Sequence, residues 1–364
     1  MKQGDHNEVA EASNDFERRY LQATRYCFSG EYEKALQVYE DLYESRRDAL
    51  GEEREEALKA LGMAARISPL VGDINKTFFW QKKSYEEHRK CYGKEDERTR
   101  RECCNLADTY HDFYLVDQDR ELREELYDIC RTLYGEENEE TLFALENLAE
   151  ACENCGDYDR ELELIEKKLA LLRRKLGEED PETIATLALL ARVMRFLGES
   201  EQEKRLRAKV DALCEKAFDS NNPDDLEQKA DIYVTLCDHK QALEINRGRY
   251  RLLWERVGSD DDQTMVALFE TAKNYLFLGR PKKALKLLQD LYAEQAKSIR
   301  IGIVDATDTW LLIASIYRDD LGDDRRALDA YTKAREIACQ LYGKGHRERR
   351  IELEILALKA KLGE

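Results

Sequence analysis

An alanine recurs along this chain at a nearly fixed step. It stands at Ala23, Ala65, Ala107, Ala149, Ala191, Ala230, Ala272 and Ala314, with steps of 42, 42, 42, 42, 39, 42 and 42 residues. Three residues after each comes Tyr26, Ser68, Tyr110, Cys152, Met194, Tyr233, Tyr275 or Tyr317, five tyrosines among eight. A period of this length marks one supersecondary unit that cannot bury its apolar face alone, so neighbouring units must stack. The chain of 364 residues then needs no single large core, and its four prolines and lack of Gly/Ser tracts leave no linker.

Turn signals fall at fixed places within the period. Seven or eight residues after the alanine stand Gly30, Gly72, Gly156, Gly198, Gly279 and Gly322, with Tyr114 and Cys237 in the two remaining slots. Leu50-Gly51, Tyr92-Gly93, Tyr134-Gly135, Leu176-Gly177, Val257-Gly258 and Tyr342-Gly343 close the units. Asp96, Asn138, Asp180 and Asp261 precede helix starts, where their side chains can accept from free first-turn amides. Leu142, Leu145, Leu148 and Cys152, then Leu162, Ile165, Leu169 and Leu172, follow a helical period. Each unit therefore reads as cap, helix, turn, helix, stop. The stretch around Tyr114–Asp119 fits only with a shift of about two residues. The last segment, 346–364, carries Ile351, Ile355, Leu358 and Leu362 on one stripe and is expected to cap the stack.

The expected fold is all-α, a right-handed superhelical solenoid of about eight helix pairs over residues 1–345 with a C-terminal capping helix over 346–364. A three-residue deletion precedes the sixth pair, and the eighth contains one added residue.

Composition limits the partners. A net charge of −18 repels phosphate backbones and anionic headgroups, so nucleic acid and membrane are not expected partners. No apolar run approaches the ~20 residues of a spanning helix, and the start of the chain lacks a signal-peptide core. With ten cysteines read as reduced thiols, the expected location is cytoplasmic.

Residues 135–177 and 177–198, with Asn105–Ala107 and Asn147–Ala149 reading Asn-Leu-Ala and Gly156–Tyr158 reading Gly-Asp-Tyr, resemble tetratricopeptide repeats of the long, kinesin-light-chain-like subtype. The resemblance implies a groove lined by the first helix of each pair, in which asparagines before the Leu-Ala pair hold a peptide or protein. Only Asn105 and Asn147 keep that asparagine; Leu21, Met63, Leu189, Gln228, Glu270 and Leu312 replace it elsewhere. No heptad coiled coil is visible at the start, so the likeness is to the repeat type and not to a motor subunit.

Family geometry assigns a peptide-binding groove to Asn105, Asp108, Asp112, Glu146, Asn147, Glu150 and Glu153, then Arg192, Arg195 and Phe196, then Phe269, Lys273 and Phe277. It would pass from acidic to basic with aromatics nearby and favour a ligand of complementary charge. Ordinary solvated helix faces are the alternative reading of the same residues.

Cys152 and Cys155 form a C-x-x-C. By repeat alignment, however, they occupy apolar slots, as do Cys103, Cys130 and Cys214. The five histidines show no metal-ligand spacing, and no nucleophile elbow, Walker loop or dinucleotide fingerprint is present. The expectation is therefore a scaffold or adaptor with no cofactor, no metal and no catalysis of its own. A peptide sensor acting through a separate effector protein is the alternative, and an enzyme with a site on helix faces ranks last.

Overall fold

The computed structural model describes residues 4–49, 51–297, 304–343 and 346–363. Leu50, expected to close the first unit, lies outside them. The fold is all-α: the described residues form 17 helices and no strand, and the structure is 84% helical.

The chain forms two compact units. The first holds residues 1–155 and 344–350. It contains α1 (Gly4–Phe28), α2 (Tyr32–Arg46), α3 (Glu52–Val71), α4 (Ile74–Tyr92), α5 (Glu97–Asp112), α6 (Val116–Tyr134) and α7 (Glu139–Cys155). The second holds residues 156–343 and 351–364. It contains α8 (Tyr158–Lys175), α9 (Pro181–Phe196), α10 (Ser200–Ala217), α11 (Pro223–Thr235), α12 (His239–Val257), α13 (Asp262–Phe277), α14 (Pro281–Gln295), α15 (Ala306–Ser315) and α16 (Asp324–Tyr342). The last helix, α17 (His346–Leu362), gives its first turn to the first unit and the rest to the second. Three expected helix pairs lie whole in the first unit and four in the second. The expected fourth pair is divided, with α7 in one and α8 in the other.

The expected landmarks take up their structural roles. Asp96, Asn138, Asp180 and Asp261 each accept from the backbone amide two residues on, at 2.9 Å. Pro181 opens α9, where its missing N–H costs no hydrogen bond. All eight recurring alanines are buried, from 0% exposed at Ala23, Ala107, Ala272 and Ala314 to 8% at Ala149.

Length changes are absorbed locally. Helix α11 has 13 residues where α5, α9 and α13 have 16, so the three-residue deletion shortens its start. The added residue of the eighth repeat is taken up by a π-helical turn over Ile316–Asp320, closed by the Leu321 amide donating to the Ile316 carbonyl at 3.1 Å.

The cores follow the repeats. In the first unit Phe16, Tyr39, Leu42, Leu61 and Trp80 share one cluster. In the second, Leu288, Ile316 and Tyr331 pack with Ile351, Ile355 and Leu358 of α17. Leu362, placed on the same stripe by sequence, remains 37% exposed. Within the first unit, Arg349 of α17 donates to the Leu70 carbonyl at 2.8 Å and pairs with Glu33 at 2.9 Å.

The stretch around Tyr114–Asp119 needs no shift. Tyr114 donates to the His111 carbonyl at 3.0 Å and Leu115 to that of Tyr110 at 2.8 Å, the pattern of the glycine turn at Gly198. The irregular look of the sequence comes from tyrosine in a glycine slot. Tyr114 has φ 57° and is 87% exposed, so its side chain gains no packing to offset the left-handed backbone. Tyr114→Gly should therefore raise the unfolding free energy by about 0.5–1 kcal/mol, the strain relieved less the entropy glycine loses. Urea unfolding measures this, and an unchanged or lower midpoint would contradict it.

Candidate functional site

Two adjoining clefts lie in the first unit, where α5 and α7 flank α6. The sequence sets this arrangement. Leu142, Leu145 and Leu148 turn one face of α7 into the core, which leaves Phe143, off that stripe, 62% exposed. A cleft of about 480 Å³ opens beside it, walled by Arg100 and Cys104 of α5, Leu126 and Cys130 of α6, and Phe143, Ala144 and Asn147 of α7. A second section of about 460 Å³ shares Cys104, Arg123, Phe143 and Asn147 and adds Asp108, His111, Asp112 and Glu150. The first section is the more apolar and is rimmed by arginines together with Glu97 and Glu140, and the second is the more acidic, with Asp108, Asp112 and Glu150 against Arg123.

The arginines are held in place. Arg123 donates to Asp119 at 2.7 Å and to Asp108 at 2.9 Å, and Asp119 is 1% exposed. Asp119 also faces His111 Nδ1 at 3.4 Å. Arg100 donates to the Tyr134 hydroxyl at 2.7 Å. Asp112, Asn147 and Glu150 have no side-chain partner among the described residues. Burial raises the pKa of the Cys104 thiol and pushes that of its neighbour Cys103 up to about 12, so both stay protonated. No three His, Cys, Asp or Glu side chains among the described residues gather to hold a metal ion.

Four of the acidic-side residues expected from sequence line this cleft: Asp108, Asp112, Asn147 and Glu150. Asn105, Glu146 and Glu153 lie on the same helices but are not wall residues. The basic and aromatic set belongs to the second unit and is engaged there. Arg192 faces buried Glu161 at 3.8 Å. Arg195 donates to Cys237 Sγ at 2.9 Å. Phe196 stacks on Tyr158 with centroids 5.0 Å apart, and Phe277 on His239 at 4.4 Å. Lys273 pairs with Glu270 at 3.1 Å, and Phe269 packs against the second unit's core.

Sequence reasoning missed Phe143, Arg100, Arg123 and Cys104. The signal for Phe143 was present, as a large apolar residue one position off the buried stripe. Arg123 gave no such signal, because its placement depends on Asp119 occupying a slot that is alanine at Ala35, Ala242 and Ala284.

A family model described as a tetratricopeptide repeat matches residues 144–179. That stretch carries a tetratricopeptide-type repeat. Among solved structures, it is similar to kinesin-light-chain-type, nearly identical TPR-like repeats from Podosopora anserina, at 25% identity over 54% of this chain and 95% of that one, TM-score 0.37. It is also similar to a Rap protein complexed with Competence and Sporulation Factor, at 11% identity over 96% and 99%, TM-score 0.38. A third is the apo form of the quorum sensor NprR from B. thuringiensis, at 13% identity over 95% and 99%, TM-score 0.34. No curated protein matches the sequence.

His239 offers a test of the stacked turns. Burial lowers its pKa below the usual 6.5, with Arg195 adding to the effect and Asp238 opposing it. A base with a lowered folded pKa contributes stability that is fully present above pH 6.5 and lost as the pH falls through that value toward the folded pKa. Thermal midpoints of the wild type should therefore fall more steeply between about pH 7.5 and 5.5 than those of His239→Phe, which keeps the stack without the proton. Parallel curves would show that His239 does not report on this contact.

Proposed function

We propose that this protein is a binding scaffold or adaptor that holds a protein or peptide segment in the cleft between α5 and α7, with no catalysis of its own. The observation that carries this reading is an exposed Phe143 beside a cleft of about 480 Å³, flanked by polar groups that the fold leaves unpartnered. A large apolar side chain at the centre of a concave surface, rimmed by polar residues, is the usual form of a binding anchor. Repeat helices already fixed by their own packing spare the ligand much of the ordering cost.

The thiols and clefts support the same reading. The Cys104 thiol of the wall, its pKa raised, stays protonated and is a poor nucleophile. The described cysteines are unbridged, which supports action in the cytoplasm. No helix among the described residues is long and apolar enough to cross a membrane.

The test is affinity capture from the native cell with wild-type protein and Phe143→Ala, followed by direct titration of whatever polypeptide is retained. Losing a central aromatic anchor should weaken binding by about tenfold or more. A captured partner that binds the variant with unaltered affinity would remove this cleft as the binding site.

A further inference from the structure

The arginines and the carboxylates of the cleft differ in what they leave unsatisfied. Every wall arginine already faces an acceptor: Arg123 meets Asp108 and Asp119, Arg100 meets Tyr134, and Arg101 meets Glu102 at 3.5 Å. An anionic ligand would have to compete with these contacts. The carboxylates of Asp112 and Glu150 line the second section without a side-chain partner among the described residues, and Glu97 and Glu140 add negative charge at the rim of the first. The chain's net charge of −18 adds a long-range attraction for cations. Electrostatics alone would admit any cation. The adjoining apolar section, with Phe143 exposed and Leu126, Cys130 and Ala144 behind it, narrows the choice to a ligand with a bulky apolar group as well.

Helix geometry sets the distance between the two groups. Phe143 and Glu150 are seven residues apart on α7, about 10 Å at 1.5 Å per residue. An extended peptide covers about 10 Å in three residues.

Resting on the binding reading above, we propose that this cleft selects an extended peptide segment carrying a bulky apolar residue and a lysine or arginine about three positions apart. The apolar side chain enters the section beside Phe143, and the cation sits between Asp112 and Glu150. The three side chains that do the selecting lie on the helix surface or in a cleft, so changing them leaves the repeat packing intact.

The experiment is selection of a random dodecapeptide display library on the full chain, followed by titration of the synthetic consensus peptide. The expected result is enrichment of Phe, Leu, Met or Trp three positions from Lys or Arg, in one chain order. The consensus peptide should bind the wild type at least about tenfold more tightly than its Lys→Glu analogue. That preference should shrink to threefold or less on Asp112→Asn/Glu150→Gln. Enrichment without the apolar–basic pair, or equal binding of the peptide and its charge-swapped analogue to the wild type, overturns the inference and leaves the binding reading standing. A library that yields no saturable binder overturns the binding reading itself. Because the charge swap is made in the peptide and read on the wild type, the test does not depend on a variant folding.

Discussion

Two helices can lie close together only where the side chain between them is small, and this chain supplies an alanine for that contact in every repeat. All eight are buried. Everything else in the repeat follows from that contact. The turn after the first helix must reverse the chain within two or three residues, which requires a left-handed residue, and the slot is left-handed in all eight repeats, including Tyr114 and Cys237. With one helix face committed to its neighbours, the opposite residues of α5 and α7 are free to line a cleft.

The second helix varies more at its matching slot, and this variation shapes the site. Ala35, Ala242, Ala284 and Ala327 fill it with 0% exposure, whereas Asp119 and Glu161 fill it with buried carboxylates at 1%. A buried carboxylate must be paired, and leaving one uncompensated typically costs about 3–5 kcal/mol. Asp119 therefore fixes Arg123, and Arg123 in turn engages Asp108 at the cleft wall. Glu161 draws on Arg192 in the same way in the second unit. These acids weaken the economy of an alanine contact but set the position of a guanidinium.

The fold was legible because its determinants are local and periodic. The caps at Asp96 and Asp180, the turn glycines and the alanine step can each be read within a few residues. Even the added residue of the eighth repeat was visible, although its form as a π-helical turn was not. The site was less legible, since a groove residue and a solvated helix residue look alike until their neighbours are placed. Asp108, Asp112, Asn147 and Glu150 reach the cleft, while Arg195, Phe196 and Phe277 are spent on contacts between turns. Those contacts join residues about 40 positions apart, a separation at which no helical pattern reports.

The account stands on the alanine contact, and Ala107 tests it most directly because it is fully buried in α5 beside the cleft. The measurement is the unfolding free energy of Ala107→Leu by urea titration. Overpacking at that contact should lower it by about 1–3 kcal/mol. A midpoint equal to that of the wild type would show that the helices do not meet there, and the arrangement of the cleft would lose its basis.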